Sequence, residues 1–174
     1  MAKKTEQLVH CRYPKCMKLH ETTELSKDDA VKGGSKNSYY HPDCWHVMQT
    51  INQIRDLFIH EINPAMTGKQ IGTLVSAINN MVFGKNIDVD FIKFALEYFV
   101  KYKPGSLHQP FGMYYIVENY DVINAWKKEQ DRRTRVEISE SQKENNKNIE
   151  ELDLQQADFT YKPVKSKGFE DILR

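Results

Sequence analysis

The three cysteines of this 174-residue chain all lie within its first 44 positions, and a histidine accompanies them. The pattern is Cys11-x4-Cys16, a loop of twenty-four residues, and then His41-x2-Cys44. Each pair is short enough for both side chains to bind one ion, and the loop lets the second pair fold back onto the first. Two such pairs are typical of a closed tetrahedral zinc site. The sequence therefore predicts Zn²⁺ bound by Cys11, Cys16, His41 and Cys44.

Three other histidines lie close to these ligands in the sequence. His10 precedes Cys11, His20 follows Cys16 by four residues, and His46 follows Cys44 by two. We expect each of the three to lie at the surface or beside the ligands rather than on the ion. Because four protein ligands leave no coordination position for water, the site is predicted to be structural and not hydrolytic. The sequence also lacks a phosphate-binding glycine loop and a nucleophile elbow, so no enzymatic activity is expected.

Charge and composition narrow the class of protein. The net charge is +1, so the bulk electrostatics do not indicate a nucleic-acid-binding protein. Residues 127–135 carry five basic and two acidic side chains, whereas residues 137–158 carry two basic and seven acidic ones. The sequence has neither an apolar run that could span a membrane nor the apolar segment of a signal peptide. We expect a cytoplasmic protein, in the host cytoplasm if a phage encodes it, where reduced cysteines favour a metal over a disulfide.

A helix is predicted to begin at Pro42-Asp43 and to end before Asn63-Pro64. Its apolar face has the helical spacing i, i+4, i+7 and i+11, and consists of Val47, Ile51, Ile54 and Phe58. The second ligand pair would then lie on the first turn of this helix, which is a treble-clef-like arrangement.

Three further helices are predicted from their start and stop signals. Thr67 can cap the second helix and Gly84 can end it, and Asp88 can cap a third helix that runs to about Lys101. The fourth is predicted to follow Pro110 as one continuous helix. The side chains expected to face the core are Ile71, Leu74, Val75, Ile78 and Val82 in the second helix, Phe91, Ile92, Ala95, Leu96 and Phe99 in the third, and Met113, Ile116, Val117, Tyr120, Ile123 and Trp126 in the fourth. The third is apolar over most of its circumference, so we expect it to be central.

These patterns predict a mainly α protein in three parts. Residues 1–46 form a small zinc-binding module, in which Gly33-Gly34-Ser35 turns between two short strands, and residues 47–128 form a helical bundle. Residues 129–174 combine a charged spacer with a terminal peptide, and the spacer is either a long charged helix or a disordered tail. The apolar and basic residues of 159–174 would either dock on a partner protein or pack back on the bundle.

The segment Tyr39-Tyr40-His41-Pro42-Asp43-Cys44-Trp45 resembles the end of the poly(ADP-ribose) polymerase-type zinc finger, with His-Pro-x-Cys between aromatic residues. The resemblance covers residues 10–46, and Lys32-Gly33-Gly34-Ser35 suits the glycine-containing strand connection of that family. It implies a small sheet, a helix at the last ligand pair, and binding to DNA breaks through stacking and backbone contacts. The family has Cys-x2-Cys as its first pair, where this chain has Cys11-x4-Cys16. The helical region is similar to modules of phage replication and helicase-loading proteins.

Two classes of function follow from these observations. The first is a non-enzymatic nucleic-acid-binding protein, such as a phage replication or host-takeover factor. Aromatic side chains of the module would stack on bases, and basic side chains would contact phosphates. The candidate residues are Tyr13, Tyr39, Tyr40 and Trp45, with Lys15, Lys18, Lys27, Lys32, Lys36, Lys127, Lys128, Arg132, Arg133 and Arg135. Alternatively, these aromatic side chains enclose the metal site and the lysines are ordinary solvated charges.

The second class is a protein-interaction adaptor or inhibitor that docks on a host machine through its bundle or its terminal peptide. The near-zero net charge and the charged spacer before an apolar peptide favour it. Modules of the LIM-like and other treble-clef classes share part of the His-x2-Cys ending, and many of them bind proteins.

Overall fold

A computed structural model describes residues 7–34, 37–107 and 112–157, and the side chains as far as residue 143. The elements in chain order are β1 (Leu8–His10), β2 (Glu24–Ser26), β3 (Val31–Lys32), β4 (Tyr39–Tyr40), α1 (Pro42–Glu61), α2 (Gly68–Phe83), α3 (Val89–Tyr102), α4 (Gly112–Glu118) and α5 (Tyr120–Ala157). A single 3₁₀ turn, Cys16–Lys18, lies between β1 and β2. The mainly α fold class, with short strands only in the N-terminal region, is confirmed.

The N-terminal strands form two small antiparallel sheets. In the first, β1 pairs with β2 so that Val9 lies opposite Leu25; in the second, β3 pairs with β4 so that Lys32 lies opposite Tyr39. A bridge between Cys11 and Tyr39 joins the chain after β1 to β4. This connection brings the first predicted ligand beside the strand that leads to His41.

Gly33 occupies a position in the β3–β4 connection that has no room for a side chain. A Cβ atom there would lie 2.6 Å from Cε2 of Tyr40 and 3.4 Å from the ring of Trp45. The two aromatic rings pack against each other with centroids 5.1 Å apart. Glycine therefore allows this aromatic pair to close over the turn, whereas Gly34 has no atom within 4 Å of a Cβ position.

Helix α1 begins at the metal-ligand region and continues into the bundle. Its predicted apolar face is confirmed, since Val47, Ile51, Ile54 and Phe58 are all buried. Polar contacts also join it to α3, where Nε2 of His46 lies 2.9 Å from the Asp90 carboxylate and Lys93 donates to Gln53 over 2.8 Å. The same helix thus carries two predicted ligands and part of the bundle core.

The predicted caps of α2 and α3 are present. Thr67 and Gln70 form a capping box, in which the Thr67 hydroxyl accepts from the Gln70 N–H and the Gln70 side chain accepts from the Thr67 N–H. The Asp88 carboxylate accepts from the Asp90 N–H at the start of α3. The buried face of α3 consists of Val89, Ile92, Ala95, Leu96 and Phe99, and α3 packs on both α1 and α4.

The prediction of one continuous fourth helix is wrong, because the helix is interrupted at Asn119. The Asn119 side chain accepts a hydrogen bond from the Asp121 N–H and so caps a new helix, α5. The interruption changes the helical phase, so that Val122 is fully buried in the core whereas Tyr120, expected in the core, is 76% exposed. Met113, Ile116 and Val117 face the core as predicted.

The chain divides into two compact units, Met1–Lys127 and Lys128–Arg174. The N-terminal strands and the bundle lie in the first unit and share one continuous cluster of buried residues. The charged spacer was predicted to be either a long helix or a disordered tail, and it is helical as far as Ala157, where α5 ends. The predicted docking peptide, residues 159–174, lies outside the described residues. Among those that are described, none of the helices combines the length and the apolar content that a membrane crossing requires.

Candidate metal centre

Three local elements place the four predicted ligands. Cys11 follows β1, and its N–H donates to the Thr23 carbonyl over 2.7 Å. Cys16 opens the 3₁₀ turn, His41 is the N-cap residue of α1, and Cys44 lies in the first turn of that helix. The treble-clef-like placement of the second pair on a helix start is therefore present.

The ligand atoms of Cys11, Cys16, His41 and Cys44 all lie within 4.8 Å of one another. Sγ of Cys16 lies 3.3 Å from Nδ1 of His41. Donors bound tetrahedrally to zinc at about 2.0–2.3 Å would be roughly 3.3–3.8 Å apart. The four residues are thus close enough to hold one metal ion with small adjustments of their side chains.

Because the cluster is buried, the ionised form of its thiols is unfavourable unless a cation is present. All three cysteines are buried, with Cys44 at 0% exposure. Burial raises the pKa of the Cys16 and Cys44 thiols, and the neighbouring Cys11 raises both further. A divalent cation would offset both effects, because it binds the thiolates and releases their protons.

His41 is oriented by groups on both sides of its ring. The ring of His20 stacks on it with centroids 4.0 Å apart and an interplanar angle of 21°. Burial lowers the pKa of His41 and the proximity of His20 lowers it further, while a hydrogen bond to the Glu24 backbone carbonyl acts in the opposite direction. With Nδ1 facing Cys16, such a carbonyl contact suits the neutral, ligating tautomer.

The three neighbouring histidines lie outside the group of four ligands. His10 is exposed, with Nδ1 3.5 Å from the Thr23 hydroxyl, and His46 forms an ion-pair contact with Asp90. His20 is the closest to the site, and its Nε2 atom is buried without a hydrogen-bond partner among the described residues. Its stacking on His41 places it beside the ligands, as expected.

The candidate nucleic-acid residues of the module differ in how accessible they are. Tyr13 is buried, and burial together with the nearby Cys44 raises the pKa of Tyr13 to about 12, so it encloses the metal site and cannot stack on a base. Tyr40 and Trp45 are half-buried against each other. Lys15 is half-buried with Nζ 4.9 Å from the Phe83 ring centroid. The exposed candidates are Lys18, Lys27 and Lys32, and Lys36 lies outside the described residues.

The candidate cations of α5 are exposed, but two of them are engaged by one carboxylate. Arg132 and Arg133 both donate to Glu129, over distances of 2.8 and 3.0 Å. This arrangement lowers the pKa of Glu129 to about 2. Lys127, Lys128 and Arg135 are exposed as well.

Sequence reasoning missed two groups of residues. Arg12 is exposed, and its N–H donates to the Tyr39 carbonyl over 2.9 Å, which places it beside the β3–β4 sheet. Tyr102, Tyr115 and Tyr120 are the large apolar side chains that are exposed in the described part of the bundle. The sequence Lys101-Tyr102-Lys103 was visible from the start, but the exposure of Tyr120 follows from the break at Asn119.

Comparison of the chain with protein-family models, with curated proteins and with solved structures gives no match.

Proposed function

We propose that this is a zinc-binding, non-enzymatic protein whose N-terminal module (residues 7–46) binds nucleic acid. The observation that supports zinc is the buried cluster of three thiols and one imidazole within 4.8 Å of one another. Thiolate and imidazole donors are preferred by Zn²⁺, whereas the hard cations Mg²⁺ and Ca²⁺ prefer oxygen ligands. Because all four positions are filled from the protein, the metal stabilises the fold and does not activate water.

The exposed side chains of the module are suited to a partner that carries many negative charges. Lys32 and Tyr39 lie opposite each other on adjacent strands, so their side chains share one face of the sheet. Arg12 follows on the neighbouring segment, and Lys18 projects from the 3₁₀ turn that contains Cys16. In nucleic-acid-binding proteins, exposed cationic side chains contact the phosphates, and aromatic rings beside them stack on the bases.

The experiment is fluorescence anisotropy with labelled single-stranded, nicked and duplex DNA, using protein of verified metal content. We expect salt-dependent binding that is weakened in a Lys18→Gln, Lys32→Gln double variant, because two phosphate contacts are lost. Lys69→Gln, which changes an exposed lysine of α2, is the matched control. Absence of binding by the zinc-loaded protein at low salt would contradict the proposal.

A protein-interaction adaptor is the second candidate, and one observation favours it. Leu8 and Met17 are each 61% exposed on the module, and Leu19 is 38% exposed. Exposed aliphatic side chains on a small module are suited to a protein interface. In this case Met17→Asp would abolish binding to an isolated partner, whereas Lys18→Gln would not. The role in a phage stays a prediction from the resemblance.

A further inference from the structure

Helix α3 near its C-terminal end, α4 and the start of α5 carry a group of tyrosines that the metal centre does not use. Tyr102, Tyr115 and Tyr120 are 59%, 62% and 76% exposed. Tyr98 is half-buried beneath Tyr102, with ring centroids 4.8 Å apart. We call these four residues the tyrosine platform.

Packing beneath the platform holds its rings in place. Tyr115 meets the edge of the buried Phe99 ring at 6.0 Å between centroids, and Phe99 lies 6.5 Å from Tyr98. The rings from Tyr102 through Tyr98 and Phe99 to Tyr115 are therefore connected by successive contacts, of which the last, between Phe99 and Tyr115, joins α3 to α4. Ring surfaces fixed in this way lose little conformational entropy when a planar ligand stacks on them.

Two lysines lie among the rings. Lys101 has its Nζ atom 4.9 Å from the centroid of Tyr102, and Lys103 has its Nζ atom 5.5 Å from that of Phe99. Lys103 is also held 2.7 Å from the Asp121 carboxylate, next to Tyr120. The platform thus combines exposed aromatic faces with positive charge.

We propose that the tyrosine platform binds single-stranded nucleic acid, with bases stacked on Tyr102 and Tyr115 and a phosphate near Lys101. This inference rests on the proposed nucleic-acid function and assigns it a second surface. Base stacking on aromatic side chains beside cations is how sequence-tolerant single-strand binding is achieved. A protein partner is less well matched, because lysine is depleted at the centre of protein interfaces and the exposed aliphatic residues of the described chain lie elsewhere.

The test compares two double variants by the anisotropy of fluorescein-labelled oligothymidylate. Tyr102→Leu with Tyr115→Leu keeps apolar side chains but removes the ring faces, and we expect binding at least about tenfold weaker. Tyr102→Phe with Tyr115→Phe keeps the rings, and its affinity should remain close to that of the unchanged protein. Matching thermal midpoints would show that both variants fold.

A second measurement uses salt. Lys101→Gln should reduce the slope of log affinity against log salt by about 0.7, the value for one phosphate contact on a single strand. Lys69→Gln serves again as the control and should leave the slope unchanged. If the unchanged protein binds the oligonucleotide and the leucine variant binds equally well, the proposal that the platform binds nucleic acid is overturned, while the proposed function of the module stands. If the unchanged protein does not bind the oligonucleotide, the proposal for the platform is overturned, whereas the proposed function of the module is overturned only if nicked and duplex DNA are not bound either.

Discussion

Among the described residues that precede α1, Leu25 is the only buried aliphatic side chain, whereas each of α1, α2, α3 and α4 buries several. The other buried positions before α1 are Cys11, Tyr13, Cys16 and Ser38. Two of these four are predicted metal ligands, so the interior of the module is in large part the metal centre itself.

The N-terminal module and the helical bundle therefore depend on different stabilising interactions. Full burial of one aliphatic or aromatic side chain contributes about 1.5–3 kcal/mol, so Leu25 alone cannot offset the entropy of ordering the module. A structural zinc site supplies about 10–16 kcal/mol at neutral pH. The module should therefore require the metal, whereas the bundle should retain its helices without it.

The largest expected effect is that of removing a ligand. Cys16→Ser should lose the metal and unfold the strands, because the remaining donors cannot close the site. Hydrogen exchange would show this at the Cys11 and Gly33 amides, which donate to Thr23 and Ser38 in the native module. Amides in the middle of α3 should stay protected.

His10→Ala is the matched control for a second ligand variant, His41→Ala. His10 is exposed, so its loss should leave metal content unchanged. Retention of stoichiometric zinc and of strand protection in both Cys16→Ser and His41→Ala would show that the module is not held by these ligands, and the contrast between the regions would fail.

The next effect concerns the apolar core. Leu96 is fully buried in α3, and Leu96→Ala should lower the free energy of unfolding by about 2–5 kcal/mol. If the bundle keeps its packing without the metal, chemical denaturation with and without a chelator should give the same loss within about 0.5 kcal/mol. Glu97→Ala, at the exposed neighbouring position, should change stability by less than about 0.5 kcal/mol. A loss that disappears with the metal would mean that the bundle too depends on the site.

A smaller effect is expected at the β3–β4 connection. Gly33→Ala places a methyl group 2.6 Å from the Tyr40 ring and should cost about 1–3 kcal/mol, seen as weaker zinc retention in a competition with a chelator. Gly34→Ala has open space around it and is the matched control. Equal zinc retention in the two variants would mean that the Tyr40–Trp45 pair can open without affecting the metal centre.

The sequence predicted both regions well where a local pattern determined the structure. The clustering of the four predicted ligands follows from two short pairs, and the apolar face of α1 and the caps at Thr67 and Asp88 follow from residue spacing within a few turns. The failure came at Asn119, where apolar periodicity continued across a capping residue. A side chain that caps a helix competes with the backbone ladder, and periodicity alone does not reveal which of the two prevails.

Surface properties were the least predictable. Tyr13 was a candidate for stacking on bases and Tyr120 was expected in the core, yet Tyr13 is buried and Tyr120 is exposed. Their environments are set by the metal centre and by the helix break, which are tertiary features. The ion pairs from Glu129 to Arg132 and Arg133 follow i, i+3 and i, i+4 spacing and could have been found from the sequence.

The smallest expected effect lies in α5 between residues 127 and 143, a stretch that contributes nothing to the metal cluster or to the buried core. None of the described side chains from 127 to 143 is buried. Hydrogen bonds from Arg132 and Arg133 lower the pKa of Glu129 to about 2. A lowered pKa means that the stabilisation is complete above the ordinary glutamate value of about 4.3 and is lost as the pH falls through about 2.

NMR titration of the Glu129 carboxyl group should show this shift, and Arg132→Gln with Arg133→Gln should return its pKa towards the ordinary value. Arg135→Gln removes a charge from the same helix but leaves both ion pairs in place, so it should have little effect. An ordinary pKa for Glu129 in the unchanged protein would show that solvent screening outweighs these pairs and that α5 depends on helix propensity alone.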